Sequence, residues 1–121
     1  MGITNAGKSE IAGLAINSGS PTSFGYLAYG TGTTAFAATQ TALVTESQRA
    51  AATVSKVTTT VSNDTSQLTY SFAISSSETI TEVGIFNASS SGTMWARTVL
   101  TSSRAVVSGD TYSLTYKVAF A

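Results

Sequence analysis

The final segment of the chain, residues 111–121, alternates strictly between apolar and small or polar side chains, which constrains the fold more than any other segment. Tyr112, Leu114, Tyr116, Val118 and Phe120 fall on one face of an extended strand, and serine, threonine, lysine and alanine fall on the other. A period of two residues is typical of a β-strand with one buried face. The segment therefore predicts a strand that packs one face against a core.

The same period recurs earlier in the chain. Residues 68–74 alternate in the same way, and they follow the β-branched residues 53–61 and a turn signal at 63–66, which together predict a β-hairpin. Further strands are expected at residues 24–29, 80–86 and 93–100, with one short strand around 41–46. About six to eight short antiparallel strands favour a mainly all-β fold, either a β-sandwich or a β-tulip-like open barrel.

The N-terminal segment has a helical rather than an extended pattern. A short helix between residues 3 and 16, capped by Asn5, places Gly7, Ile11 and Leu14 on one face. At 121 residues the chain is long enough for one modest core. We therefore expect a single β-domain over residues 1–121, with an N-terminal arm and short helix at 1–17 and a β-sandwich at 23–121.

Charge is scarce in this sequence and is balanced. Six basic and six acidic residues cancel, and serine and threonine make up roughly a third of the chain. A neutral, hydroxyl-rich surface argues against a nucleic-acid or membrane partner held by a basic face, and near-zero net charge favours a protein that works in an assembly. The start lacks the pattern of a signal peptide, and no apolar stretch has the length of a membrane span, so we expect synthesis in a cytoplasm.

The residue types needed for most catalysis are missing. The chain has no histidine and no cysteine, which excludes Ser-His and Cys-His catalysis, disulfides and the usual zinc ligands. The six carboxylates do not form a calcium loop. The sequence therefore predicts a protein that is not an enzyme, without metal or cofactor, in which Glu46 and Glu82 form structural ion pairs with Arg49 or Arg97.

One segment matches a nucleotide-binding consensus in its residue types. Residues 2–9 read Gly-Ile-Thr-Asn-Ala-Gly-Lys-Ser, which satisfies the P-loop consensus. A P-loop needs a buried parallel strand ahead of its first glycine, and only Met1 precedes Gly2, so we expect no strand there. The motif is interpreted as the start of a helix.

Aromatic residues divide into two sets. Tyr70, Tyr112 and Tyr116 share stripes with leucine and phenylalanine, which predicts core positions. Tyr29 and Trp95 lie on less clearly apolar faces, so they are the aromatic candidates for contacts in an assembly.

An ordered set of phrases resembles small structural proteins of tailed bacteriophages. These phrases, which we call the recurring phrases, are Ile3-Thr-Asn-Ala-Gly7, Tyr26-Leu-Ala-Tyr-Gly-Thr-Gly-Thr-Thr34, Thr41-Ala-Leu43 with Glu46 and Arg49, Ile80-Thr-Glu-Val-Gly-Ile-Phe-Asn87 with Gly92-Thr-Met94 and Ala96-Arg97, and Gly109-Asp110 before the last strand. The set is similar to capsid decoration (cement) proteins and also to the N-terminal domain of tail-collar fibre proteins.

The resemblance implies a homotrimer that binds the major capsid protein on the outer surface of the virion shell and stabilises it. Because the apolar residue Ile3 lies ahead of the expected helix cap, Ile3, Thr4 and Asn5 are expected to contact the shell or a neighbouring subunit. Because the sequence closes on a strand rather than a long shaft, capsid decoration is the favoured interpretation. A tail, baseplate or tail-fibre adaptor protein is the first alternative, and a lectin-like binding module is the second.

Overall fold

The computed structural model describes residues 1–120, and these residues form one helix and eight strands. The elements are β1 (Gly2–Ile3), α1 (Asn5–Ile16), β2 (Tyr26–Gly30), β3 (Glu46–Ala51), β4 (Thr53–Val57), β5 (Thr65–Ala73), β6 (Glu78–Phe86), β7 (Met94–Val106) and β8 (Thr111–Ala119). Every strand pair is antiparallel, in one sheet of order β1-β7-β6-β2-β3 and a second of order β4-β5-β8. The predicted mainly β fold with one short N-terminal helix is confirmed.

The predicted hairpin and the last strand together make the three-stranded sheet. Val54 of β4 lies opposite Leu68 of β5, and Phe72 of β5 lies opposite Tyr112 of β8. The apolar faces of the two sheets pack against each other and form the main core. The largest side chains of this core are buried. Burial of alternate residues along β8, from Tyr112 to Val118, confirms the period of two seen in the sequence.

The outer face of the five-stranded sheet is also covered. Residues 31–45, between β2 and β3, form an irregular segment that we call the cover loop. Leu43 of this loop packs on Ala28, Phe86 and Met94 in a second, smaller apolar cluster. The five-stranded sheet therefore has apolar contacts on both faces, as the mixed apolar pattern of β2 indicates.

Two strand predictions need correction. The strand expected around residues 41–46 begins only at Glu46, because the backbone N–H groups of Val44 and Thr45 donate to the Glu82 carboxylate instead of to a strand. The strand expected at 93–100 is longer than predicted, because β7 continues to Val106.

The N-cap residue of the helix lies one position earlier in the chain than predicted. Thr4, not Asn5, is the N-cap: its hydroxyl accepts the N–H of Gly7 at 2.9 Å and donates to the Met94 carbonyl. Gly7 is buried, and Ile11 and Leu14 are half-buried, so the expected face does meet the sandwich. No helix within residues 1–120 combines the length and the apolar character needed to span a bilayer.

Two aromatic residues predicted in the core are partly exposed. Phe72 packs edge-on against both Tyr29 and Tyr70 and occupies the core position, which leaves Tyr70 39% exposed. Phe120 follows the end of β8 and is 59% exposed, with its ring stacked on Trp95 at 5.9 Å between centroids.

Replacing Gly7 by alanine is expected to destabilise the protein although alanine is the better helix former. A Cβ atom at this position would lie 2.6 Å from the Trp95 carbonyl oxygen and 2.7 Å from its Cα, both backbone atoms of β7. We expect a loss of about 1–3 kcal/mol from this overpacking, against a gain of about 1 kcal/mol in helix propensity. Urea unfolding followed by Trp95 fluorescence measures the difference.

Gly25→Ala is the matched control, because a Cβ at Gly25 meets nothing within 4 Å. This variant is expected to change the free energy of unfolding by less than about 1 kcal/mol. A Gly7→Ala variant as stable as Gly25→Ala would contradict the close helix–strand contact.

Candidate functional site

Glu82 and Arg97 form a fully buried ion pair under the cover loop. They lie on the neighbouring strands β6 and β7, with 2.8 Å between Arg97 Nε and Glu82 Oε1 and with both side chains 0% exposed. Val83 and Ile85 of β6 face the main core, so the period of two directs Glu82 to the opposite face. The sequence of residues 80–86 therefore places the Glu82 carboxylate beneath the cover loop.

The Glu82 carboxylate also holds both ends of the cover loop. Its Oε2 accepts the N–H groups of Gly32 and Thr45, each at 2.8 Å, and its Oε1 accepts the N–H of Val44 at 2.9 Å. We call Glu82, Arg97 and these three amides the carboxylate latch. The latch therefore ties both ends of the cover loop, the one after β2 and the one before β3, to strand β6.

Two glycines in the recurring phrases leave room for the Glu82 carboxylate and for Leu43 of the cover loop. A Cβ at Gly32 would lie 2.5 Å from Glu82 Oε2, so any side chain there would displace the carboxylate. A Cβ at Gly84 would lie 2.9 Å from Leu43 Cδ2, beneath the cover loop. The Gly-Thr-Gly turn and the Glu-Val-Gly triplet are therefore two halves of one packing arrangement.

The environment of Glu82 keeps its carboxylate ionised. Burial raises the pKa, but the Thr45 amide, the Arg97 guanidinium and the amides of Val44 and Gly32 outweigh burial and hold the pKa of Glu82 below its usual range. A buried charge is tolerable when it is paired and hydrogen-bonded in this way.

Arg97 extends the latch to the middle of the loop. Its Nη1 donates to Gln40 Oε1 at 3.2 Å, whereas Nη2 has no partner among residues 1–120. Gln40 was not among the residues that the sequence indicated. A single glutamine in an irregular segment carries no periodic signal that could have identified it.

The second acid of the recurring phrases also pairs with an arginine. Arg49 binds Glu46 through two parallel bonds of 3.0 and 2.7 Å, and its guanidinium carbon lies 3.5 Å from the centre of the Phe86 ring. Its Nη1 donates to the carbonyls of Ala88 and Ser91 in the turn between β6 and β7. Arg49 therefore fixes that turn against the edge strand β3.

The residues expected to contact other subunits lie mostly inside the fold. Thr4, Tyr29 and Trp95 are buried in the folded chain, and Ile3 is half-buried and packs against the main core. The chain uses their side chains for its own core and helix cap. Contact of the N-terminal segment with another subunit stays a prediction. Asn5 alone is exposed, although its backbone N–H donates to Ala38 at 2.8 Å.

The P-loop-like segment has no nucleotide-binding geometry. Gly2 and Ile3 do form a two-residue strand, contrary to expectation, but it pairs antiparallel with Arg97 and Ala96 at a sheet edge. Such a strand cannot deliver the glycine loop from the middle of a parallel sheet. Among residues 1–120 there is no group of three or more histidine, cysteine or acidic residues placed to hold a metal ion.

The comparison with known proteins gives one match. Residues 4–118 match a protein-family model described as podophage GP4 fiber I protein gp80. No curated protein and no solved structure matches the chain.

Glu82→Gln is expected to destabilise the fold by about 3–5 kcal/mol, since it leaves Arg97 as an uncompensated buried charge. Glu46→Gln is the matched control: the Glu46 side chain is 30% exposed, so its loss is expected to cost less than about 1 kcal/mol. Urea unfolding at neutral pH compares the two. Equal destabilisation by both substitutions would contradict the special role of the latch.

The latch also predicts a pH dependence of stability. Because folding lowers the pKa of Glu82, the stability that Glu82 contributes is complete above the unfolded pKa of about 4.3 and is lost as pH falls through the folded pKa. The pKa of Asp64 is also lowered, chiefly by the N–H groups of Val61 and Thr59, so wild type and Glu82→Gln share that part of the acid dependence.

The two proteins are therefore compared by urea unfolding between pH 7 and pH 3. The wild type is expected to lose stability more steeply than Glu82→Gln below about pH 4.3. Parallel curves over this range would show that Glu82 keeps an ordinary pKa in the folded protein.

Proposed function

The chain belongs to the family of the podophage GP4 fiber I protein gp80, and on that premise we propose that it is a structural component of the tail fibre of a tailed phage. The observation that carries the proposal is the family match over residues 4–118, which spans both sheets and the helix. The match supports the resemblance to phage virion structural proteins. It favours the tail-fibre alternative over capsid decoration on the outer shell, since the family's description refers to a fibre.

The geometry of the latch supports a structural rather than a chemical role. The four donors at Glu82 are three backbone amides and the Arg97 Nε, and a carboxylate has about four acceptor positions. The most distinctive carboxylate of the recurring phrases therefore has no free position for a substrate. Its bonds serve the packing of the cover loop.

The surface chemistry suits a permanent place in a particle. Hydroxyl groups hydrogen-bond across an interface without the entropy cost of ordering long charged side chains. We include in the proposal self-association as a homotrimer, as the sequence resemblance implies, and attachment to another virion protein, with neither nucleic acid nor membrane as partner.

Counting copies per particle tests the proposal. Quantitative mass spectrometry of purified phage is expected to give about six to a few dozen copies, in keeping with the cyclic symmetry of a tail. Gold-labelled antibody is expected at the tail. Hundreds of copies, with label over the shell, would contradict the fibre assignment and favour capsid decoration.

A further inference from the structure

An apolar groove of about 460 Å³ lies between α1 and the three-stranded sheet. Apolar side chains make up much of its lining, from buried to exposed: Leu68, Trp95, Ile11, Leu14, Val54 and Phe120. Exposed apolar surface beside aromatic residues is typical of an interaction site. We call it the α1–β4 groove.

The groove runs beside an open sheet edge. Strand β4 is the outermost strand of its sheet and pairs only with β5. Within residues 1–120, the backbone hydrogen bonds outside the regular elements include none to residues 53–57. Three β4 residues, Val54, Ser55 and Lys56, line the groove, so unpaired strand backbone and apolar surface lie side by side.

The side chains that line the groove carry a positive charge. Lys56 is the one charged residue among the described residues that line it. Neither of the salt bridges within residues 1–120 involves Lys56. An occupant with a carboxylate near Lys56 would be complementary to this charge.

A second copy of the chain does not offer such an occupant from its open edges. The β4 and β8 edge strands carry Lys56 and Lys117, and the part of β7 beyond its pairing with β1 carries Arg104. Edge strand β3 carries Glu46, but that carboxylate is engaged by Arg49. Charge complementarity therefore favours a different polypeptide.

We propose that β4 and the α1–β4 groove bind an extended segment of another polypeptide by strand addition. The segment pairs its backbone with β4, places alternate apolar side chains in the groove and sets a carboxylate against Lys56. Main-chain bonds supply affinity in such complexes, and side-chain pockets supply specificity. The proposal goes beyond the fibre assignment and does not depend on it.

The probe is a synthetic peptide with blocked ends, Thr-Val-Thr-Asp-Thr-Val-Thr, titrated into ¹⁵N-labelled full-length protein. Its two valines and its aspartate lie on one face of the extended peptide, as Val54 and Lys56 do on β4. We expect amide shifts confined to β4 and the groove, with a dissociation constant of about 1 mM for so short a strand. The same peptide with lysine in place of aspartate is expected to bind about two- to fivefold more weakly.

Backbone pairing is tested separately from groove occupancy. In strand addition the peptide pairs through one edge only, and the N–H groups of alternate residues point to that edge. One peptide is N-methylated at its odd positions and a second at its even positions. One of the two is expected to bind and the other is not. Equal behaviour of the two would overturn strand addition.

A matched pair of variants locates the site on the protein. Val54 and Val107 are 58% and 56% exposed, and only Val54 lines the groove. Val54→Lys is expected to weaken peptide binding about tenfold or more, and Val107→Lys is expected to leave it unchanged. Equal effects of the two, absence of shifts at β4 up to about 5 mM peptide, or shifts at β8 instead would overturn the proposal.

Lysine on an edge strand can also serve only to prevent unwanted pairing. Under the proposal, Lys56→Thr removes the preference for the acidic peptide and does not strengthen binding. Tighter binding of both peptides to Lys56→Thr would overturn the recognition role. A dimer in sedimentation that Val54→Lys abolishes would identify a second copy as the occupant and would also overturn it.

Discussion

Burying the charge of Glu82 is the constraint on which the rest of the structure depends. A carboxylate removed from water is costly unless all its acceptor positions are used. Here the Arg97 guanidinium and the amides of Gly32, Val44 and Thr45 use them. Since those amides lie at both ends of the cover loop, one side chain fixes the course of residues 31–45 over the five-stranded sheet and completes the smaller apolar cluster.

The proposed structural function agrees with the way in which the polar groups are used. Glu46 and Glu82 bind arginines, and Glu82 also binds backbone amides, so these charges stabilise loops. Serine and threonine dominate the polar residues, and the exposed apolar residues Val54 and Phe120 lie at the α1–β4 groove. A β-domain with a neutral surface and a local apolar groove suits the structural role in a phage fibre that we propose.

The sequence predicted the strands whose residues alternate between two environments. Thus β5 and β8 were foreseen, because a period of two is a local property that tertiary contacts did not override. The cover loop was not foreseen, because its course depends on Glu82, 37 or more residues away along the chain. Tyr29 and Trp95 were misplaced because β2 and β7 carry apolar residues on both faces, so alternation does not show which face meets the second sheet.

Native-state hydrogen exchange at the amides of Gly32, Val44 and Thr45 tests the central claim most directly, namely that the Glu82 carboxylate holds the cover loop to the sheet. The account predicts that these three amides are protected to about the same degree as those of β6, although they lie in an irregular segment, because they exchange only when the latch opens with the sheet. Exchange of these amides at the rate of an unprotected loop, while β6 stays protected, would contradict it.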